Sequence, residues 1–185
     1  MEKLLHSTTT RFGLIRHAQT VWNREKKIQG QSDSPLTLDG ELQATRWSRI
    51  LEQFSWDCLL ASDSGRALAT AEIISAYLKI PMETDPRLRE QDWGDWVSKT
   101  IPQIQTEAYQ VLEEQINAGW NFCPPGGESR DSVLERSQEA LMEAADRYPG
   151  DNLLVGTHAG VIQCLVYYLC GRKFLPTEPR LLQSY

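Results

Sequence analysis

The stretch Gly13-Leu-Ile-Arg-His-Ala-Gln-Thr-Val-Trp-Asn23 decides how the rest of the chain is read. Phe12 to Ile15 form a short apolar segment that runs straight into Arg16-His17, and a polar segment containing Asn23 follows. Apolar runs of this length, bounded by turn signals, read as buried strands. In open α/β sheets ligands bind just outside the carboxyl ends of the strands, so Arg16 and His17 are placed where a sheet opens into a cleft. A neutral imidazole nitrogen is a competent nucleophile toward phosphorus. A guanidinium beside it can hold phosphoryl oxygens in a bidentate fork. Taken alone, an Arg-His pair after a strand is most simply a surface pair. A second, independent copy of the pattern changes the balance: Asn152-Leu-Leu-Val-Gly-Thr-His158 is again an apolar strand ending in a histidine, in a chain with three histidines.

Working outward, the alternation of short apolar runs with helical periodicity gives an α/β fold. The expected architecture is three-layered, α/β/α, with a mostly parallel central sheet. Strands are expected at about 11–16, 57–62, 82–85 and 152–157, with a short edge strand at 180–184. Thr37 reads as the N-cap of a helix with Asp39 and Glu41 in its first turn. Trp47, Ile50, Leu51 and Phe54 recur at i, i+3, i+4, i+7, the spacing of a core-facing stripe. Asp63, Ser64 and Gly65 open a helix that Pro81 ends. Arg66 lies in its first turn, where the positive end of the dipole disfavours a cation, so an anion partner is expected there. Ile101, Ile104, Ala108 and Leu112 repeat at helical spacing toward Gly119, and another helix starts near Ser129 or Ser132. Residues 97–126 read as a helical lid over the carboxyl edge of the sheet, the kind of element that selects a leaving group. The helix after His158, about 160–171, is apolar nearly all round and is expected to be buried.

The 185 residues fit one domain, 1–185, long enough for a full core. The charge of −6 argues against a nucleic-acid partner or an anionic membrane surface. The longest apolar run, Val161 to Cys170, is too short to span a bilayer. Met1-Glu-Lys-Leu-Leu-His-Ser lacks the apolar stretch of a signal peptide, and residues 1–10, with His6, read as a loose leader. Cys58, Cys123, Cys164 and Cys170 form no Cys-x-x-Cys pair, so reduced core thiols in a cytoplasmic protein are the expectation. A homodimer is left open.

The opening stretch resembles the Arg-His-Gly signature of the histidine phosphatase superfamily, also called phosphoglycerate mutase-like. Further matches follow in the family's order: Pro35-Leu-Thr-Leu-Asp-Gly40, Ala61-Ser-Asp-Ser-Gly-Arg66-Ala-Leu-Ala-Thr-Ala71, Leu88-Arg-Glu90 with Trp93-Gly-Asp-Trp96, Pro125-Gly-Gly-Glu-Ser129, and Val155-Gly-Thr-His158-Ala-Gly160. Each is weak alone and the ordered set is strong. The resemblance implies that His17 forms a phosphohistidine, that Arg16, Arg66 and His158 neutralise the phosphoryl oxygens, and that Glu90 gives and takes the proton. It places Asn23 near the phosphoryl group and Gln29 and Gly30 near the substrate, with Trp93 walling the site and Ala159 beside His158. No metal or other cofactor is called for, because the cations are side chains. Ala18 stands where the family usually has Gly, Gln19 where it usually has Glu, and Trp96-Val97-Ser98 where it usually has Trp-Glu-Gly. The wording of the motifs is similar to α-ribazole phosphatase and broad-specificity relatives. The expected activity is hydrolysis of a small phosphorylated metabolite. A cofactor-dependent phosphoglycerate mutase and a non-catalytic phosphate-binding relative are the alternatives.

Overall fold

A computed structural model describes residues 9–182. His6 and most of the expected leader lie outside the described residues. The sheet has four parallel strands in the order β1 (Arg11–Arg16), β4 (Asn152–Thr157), β2 (Cys58–Ala61) and β3 (Met82–Thr84). Side chains alternate across it, as strand geometry requires. Cys58, Leu60, Leu153 and Val155 pack on Ala140 and Ala144 of α6 (Arg130–Arg147), while Leu59, Ala61 and Leu154 pack on Ala71 and Ile74 of α3 (Gly65–Leu78). Helix α7 (Ala159–Leu169) joins α6 on the first face through Val161, Cys164 and Leu165, and α2 (Leu38–Leu51) joins α3 on the second. Three layers result. Each fully buried Leu or Val in them contributes about 1.5–3 kcal/mol.

The register of this sheet positions the site. Arg16 pairs with Thr157, and the His17 N–H donates to Thr157 O at 2.9 Å. The residues that follow each strand, His17 and His158, therefore leave the sheet side by side. A short helix, α1 (Val21–Arg24), lies in the long loop after β1. The lid carries α4 (Ile101–Glu107) and α5 (Tyr109–Asn117) and has a small core of its own: Trp96, Ile104, Leu112 and Phe122, with Ile28 and Trp93 against it. Ile28 belongs to the loop after β1. Its N–H donates to Lys99 O, and its carbonyl accepts from the Ser98 N–H, which fastens lid to loop beyond the strand ends.

Four expectations need correction. The stripe on α2 is not a core stripe: Ile50 and Phe54 are 56% and 60% exposed, and the buried positions are Gly40, Ala44 and Ser48. Small residues spaced by four let α2 lie close against its neighbours. Phe54 falls beyond the helix end, beside Trp56. The lid helix is two helices, broken at Ala108 where φ is −145°. Helix α7 is buried only over its first turns, since Tyr168 and Leu169 are exposed. Residues 180–182 are not a strand, and the rest of the expected edge strand lies outside the described residues.

Candidate active site

His17 is buried just past β1. Its Nδ1 sits 2.8 Å from Ala18 O. A carbonyl only accepts, so Nδ1 carries the proton and Nε2 keeps its lone pair. Burial, then the Arg16 and Arg66 guanidiniums, push the His17 imidazole down to about 3, so the ring is neutral across the physiological range. Ala18 is fully buried, its N–H donates to Thr70 Oγ1 at 3.0 Å, and it is not among the residues with positive φ. The methyl that replaces the family's usual glycine hydrogen is therefore accommodated without backbone strain.

Arg66 occupies the first turn of α3 and is 2% exposed. Its anion partner is Asp33. One Asp33 oxygen accepts from the Gly65 N–H, and the other accepts from the Arg66 N–H at 3.2 Å and from Nη1 at 3.0 Å. Nη1 also donates to Ser32 O at 2.8 Å and Nη2 to Gly30 O at 2.7 Å. Three of the five guanidinium N–H groups thus hold the loop, and Nε–H is buried with no acceptor. The Nε–Nη2 side of the fork is left for a ligand. Sequence reasoning expected an anion at this helix N-terminus but not that the chain itself supplies it. Nothing local to Ser32-Asp33-Ser34 signals the role.

Arg16 is half-buried, with Nε buried and unpartnered. Burial lowers its guanidinium from its usual value, while Glu90 acts in the opposite direction. His158 is fully buried, with its ring centroid 5.3 Å from that of His17. Its Nε2 lies 2.9 Å from Ser62 Oγ, and Nδ1 has no partner. Burial first, then Arg66 and His17, hold it well below the usual histidine value. Among the described residues, the buried side-chain polar atoms without a partner are Arg16 Nε, Arg66 Nε and His158 Nδ1. All three belong to residues singled out for binding one tetrahedral anion.

Glu90 reaches the same place from the loop after β3. Oε1 accepts from the Gln91 N–H at 2.9 Å, and Oε2 from the Gly160 N–H at 3.2 Å, at the start of α7. A Cβ at Gly160 would collide with Oε1. The Glu90 backbone is held by Arg136, a residue the sequence did not mark. Its Nη2 donates to Glu90 O at 3.2 Å and its Nη1 to Arg87 O at 2.6 Å, while Glu128 pairs with it at 2.7 and 2.9 Å. The Pro125-Gly-Gly-Glu-Ser motif thus supplies the carboxylate that aims Arg136.

The remaining candidates line the loop and lid. Asn23 Oδ1 accepts from the Thr20 N–H at 3.1 Å in a capping box, which leaves its NH2 to donate outward. Gln29 is buried and accepts from the Thr20 hydroxyl at 3.1 Å, and Gly30, at φ +53°, gives its carbonyl to Arg66. These two residues hold the loop and the guanidinium. Trp93 packs edge-on to Phe122 at 5.5 Å on the lid core, and Ala159 opens α7 beside His158. The structure brings Arg16, His17, Arg66, Glu90 and His158 together. Among the described residues, no group of three His, Cys, Asp or Glu converges to ligate a metal, and no helix is long and apolar enough to cross a membrane.

A parallel α/β sheet that sets two neutral imidazoles and two guanidiniums at adjacent strand ends defines a class of enzyme built around histidine. The chain belongs to the histidine phosphatase superfamily (branch 1), whose family model matches residues 12–179. It is 37% identical over 158 residues to a probable phosphoglycerate mutase GpmB of Cronobacter sakazakii, covering 85% of this chain and 74% of that one. Bacillus stearothermophilus YhfR superposes with a TM-score of 0.84 at 35% identity, over 92% of this chain and 86% of that one. A mycobacterial glucosyl-3-phosphoglycerate phosphatase, Rv2419c, solved with VO3, superposes with a TM-score of 0.77 at 31% identity, over 84% of this chain and 78% of that one.

Proposed function

We propose that the chain is a metal-independent phosphomonoester hydrolase acting on a small phosphorylated metabolite through a phosphohistidine on His17. The observation that carries this reading is the set of three buried, unpartnered atoms on Arg16, Arg66 and His158 around a nucleophile whose other nitrogen is already held. In the reaction, the His17 Nε2 lone pair forms a bond to phosphorus while the ester P–O bond breaks. Arg16 and Arg66 stabilise the charge on the equatorial oxygens, the dominant task in phosphoryl transfer. Glu90 gives its proton to the departing oxygen. It then takes a proton from water as the water attacks the phosphohistidine, which frees orthophosphate and restores His17. Asn23 donates an N–H to the phosphoryl group, and Trp93 and Ala159 border the leaving group.

The mutase reading has one specific support, the name of the Cronobacter relative. Isomerisation requires a grip on a second anionic group of the substrate. In the lid, Lys99 is the sole basic residue between 91 and 126, and it is paired with Glu107 at 2.8 Å. That favours hydrolysis. The deciding assay follows 3-phosphoglycerate with and without its bisphosphorylated primer, together with a panel of phosphate monoesters scored by released orthophosphate. Ester hydrolysis that needs no primer is expected. Primer-dependent isomerisation faster than phosphate release would overturn the choice. A cytoplasmic location belongs to the same reading, and the four free cysteines suit it, although only Cys58 and Cys164 are buried as expected and Cys170 is exposed.

A further inference from the structure

The buried polar residues around the site include two whose hydroxyls the reaction does not use, Ser62 and Ser64. Ser64 is the N-cap of α3, yet its side chain makes no cap hydrogen bond. Asp33 fills that place from the loop. The Ser62 hydroxyl donates to Ser64 Oγ at 3.2 Å, and Ser62 Oγ lies 2.9 Å from His158 Nε2. Ser62 Oγ also accepts from the Ser64 N–H at 3.3 Å.

A hydroxyl has one proton and two lone pairs. With one lone pair taken by the Ser64 N–H, Ser62 has one proton and one lone pair to share between His158 Nε2 and Ser64 Oγ. Two arrangements satisfy the contacts of Ser62 with His158 Nε2 and with Ser64 Oγ. In one, His158 Nε2–H donates to Ser62, Ser62 donates to Ser64, and the unpartnered Nδ1 is a bare lone pair. In the other, Ser64 donates to Ser62, Ser62 donates to Nε2, and Nδ1 carries the proton. The first suits a site holding only the Arg16 and Arg66 cations. An anion reverses the preference, because a lone pair facing phosphoryl oxygens repels them. An imidazolium would also serve, but burial and the neighbouring Arg66 and His17 oppose it.

We propose that Ser62 is a positioning residue that donates to His158 Nε2 when a phosphoryl group is bound, so that neutral His158 presents Nδ1–H to it. In the empty site Ser64 Oγ, relieved of capping by Asp33, is the competing acceptor of the Ser62 proton. This rests on the reading that a phosphoryl group fills the site.

The test uses the 15N-labelled full chain, with orthophosphate as the probe. The His158 ring-nitrogen signals are identified by their loss in His158→Gln. The expected result is the Nδ1–H tautomer in the orthophosphate complex. Ser62→Ala should lose that tautomer and bind orthophosphate more weakly. Its kcat should fall about tenfold to a hundredfold with a smaller change in KM, less than removal of a donor outright. Ser64→Ala leaves Ser62 no competing acceptor, so it should keep the tautomer and stay within a few-fold of wild-type kcat. An Nε2–H tautomer or an imidazolium in the complex overturns the inference, as does a Ser62→Ala protein with unchanged tautomer and kcat. The two readings separate cleanly. Orthophosphate binding in the predicted tautomer without hydrolysis of any ester sinks the hydrolase and keeps Ser62, whereas no orthophosphate binding at all sinks both.

Discussion

Two helix N-termini face the site, and each is met by a carboxylate from elsewhere in the chain. At α3 it is Asp33, which accepts from the Gly65 and Arg66 N–H groups. At α7 it is Glu90, which accepts from the Gly160 and Gln91 N–H groups. Both ends satisfy the positive pole of a helix. The difference lies in what else each carboxylate holds. Asp33 is paired with the Arg66 guanidinium and ties its loop to the start of α3. Glu90 accepts its hydrogen bonds from backbone N–H groups, with the Arg16 charge near it, and its backbone is held from behind by Arg136. On the proposed reading Asp33 is a structural part and Glu90 is the carboxylate that exchanges a proton with the substrate. Two local arrangements that look alike thus serve two different tasks.

The comparison breaks most sharply at Glu90 itself. Glu90→Gln keeps the size and loses the exchangeable proton, so kcat for an alkyl phosphate should fall by about 10²–10⁴. The loss should be smaller for p-nitrophenyl phosphate, whose leaving group departs without a proton. Equal losses on both substrates would remove Glu90 from the proton-donor role.

The paired glycines sharpen it next. Gly160→Ala drives a methyl into Glu90 Oε1 and should lower kcat about tenfold to a hundredfold, as misplacement of a reacting group by about 1 Å does. Gly65→Ala brings a methyl to 2.7 Å from Asp33 Oδ2, which displaces a loop carboxylate and no reacting group, so kcat should fall less than in Gly160→Ala. Steady-state kinetics on the two variants distinguish the functional end from the structural one.

Asp33→Ala removes the cap of α3 and leaves the buried Arg66 one acceptor short. A stability loss of about 1–2 kcal/mol by denaturant titration is expected, along with a KM that rises more than kcat falls. A kcat loss as large as that of Glu90→Gln would erase the distinction between the two carboxylates.

The last effect is on stability against pH. His17 and His158 are held below the unfolded value of about 6.5, so between pH 6.5 and about 3 the unfolded chain binds more protons than the folded one. Stability must rise with pH across that window and fall on acidification, by at most about 1.4 kcal/mol per pH unit per histidine. His17→Asn should reduce that slope in denaturant titrations from pH 6.5 to 4.5. An unchanged slope would show that His17 is not held neutral by the fold.

Much of this was legible in the residues. Asn152-Leu-Leu-Val-Gly-Thr157 is a strand at the expected bounds, because buried parallel strands are continuous apolar runs. Thr37 caps the helix it was expected to cap, since a cap depends on its own neighbours. Illegible were the features that depend on distant partners. Ile50 and Phe54 carry a perfect apolar spacing, yet the contact face of α2 is chosen by where small residues allow close approach. The break at Ala108 has no Gly or Pro to announce it. Asp33 and Arg136 act on residues more than thirty positions away, and only the folded chain shows what they hold.

The central claim is that His17 is the phosphoryl acceptor. Its direct test is a rapid alkaline quench of the enzyme with labelled p-nitrophenyl phosphate, in wild type and in Glu90→Gln, where hydrolysis of the intermediate is slowed. The account predicts an acid-labile phosphoryl label on the peptide containing His17, more abundant in Glu90→Gln and absent in His17→Ala, which should also be inactive. A label on another peptide, or full turnover by His17→Ala, would contradict it.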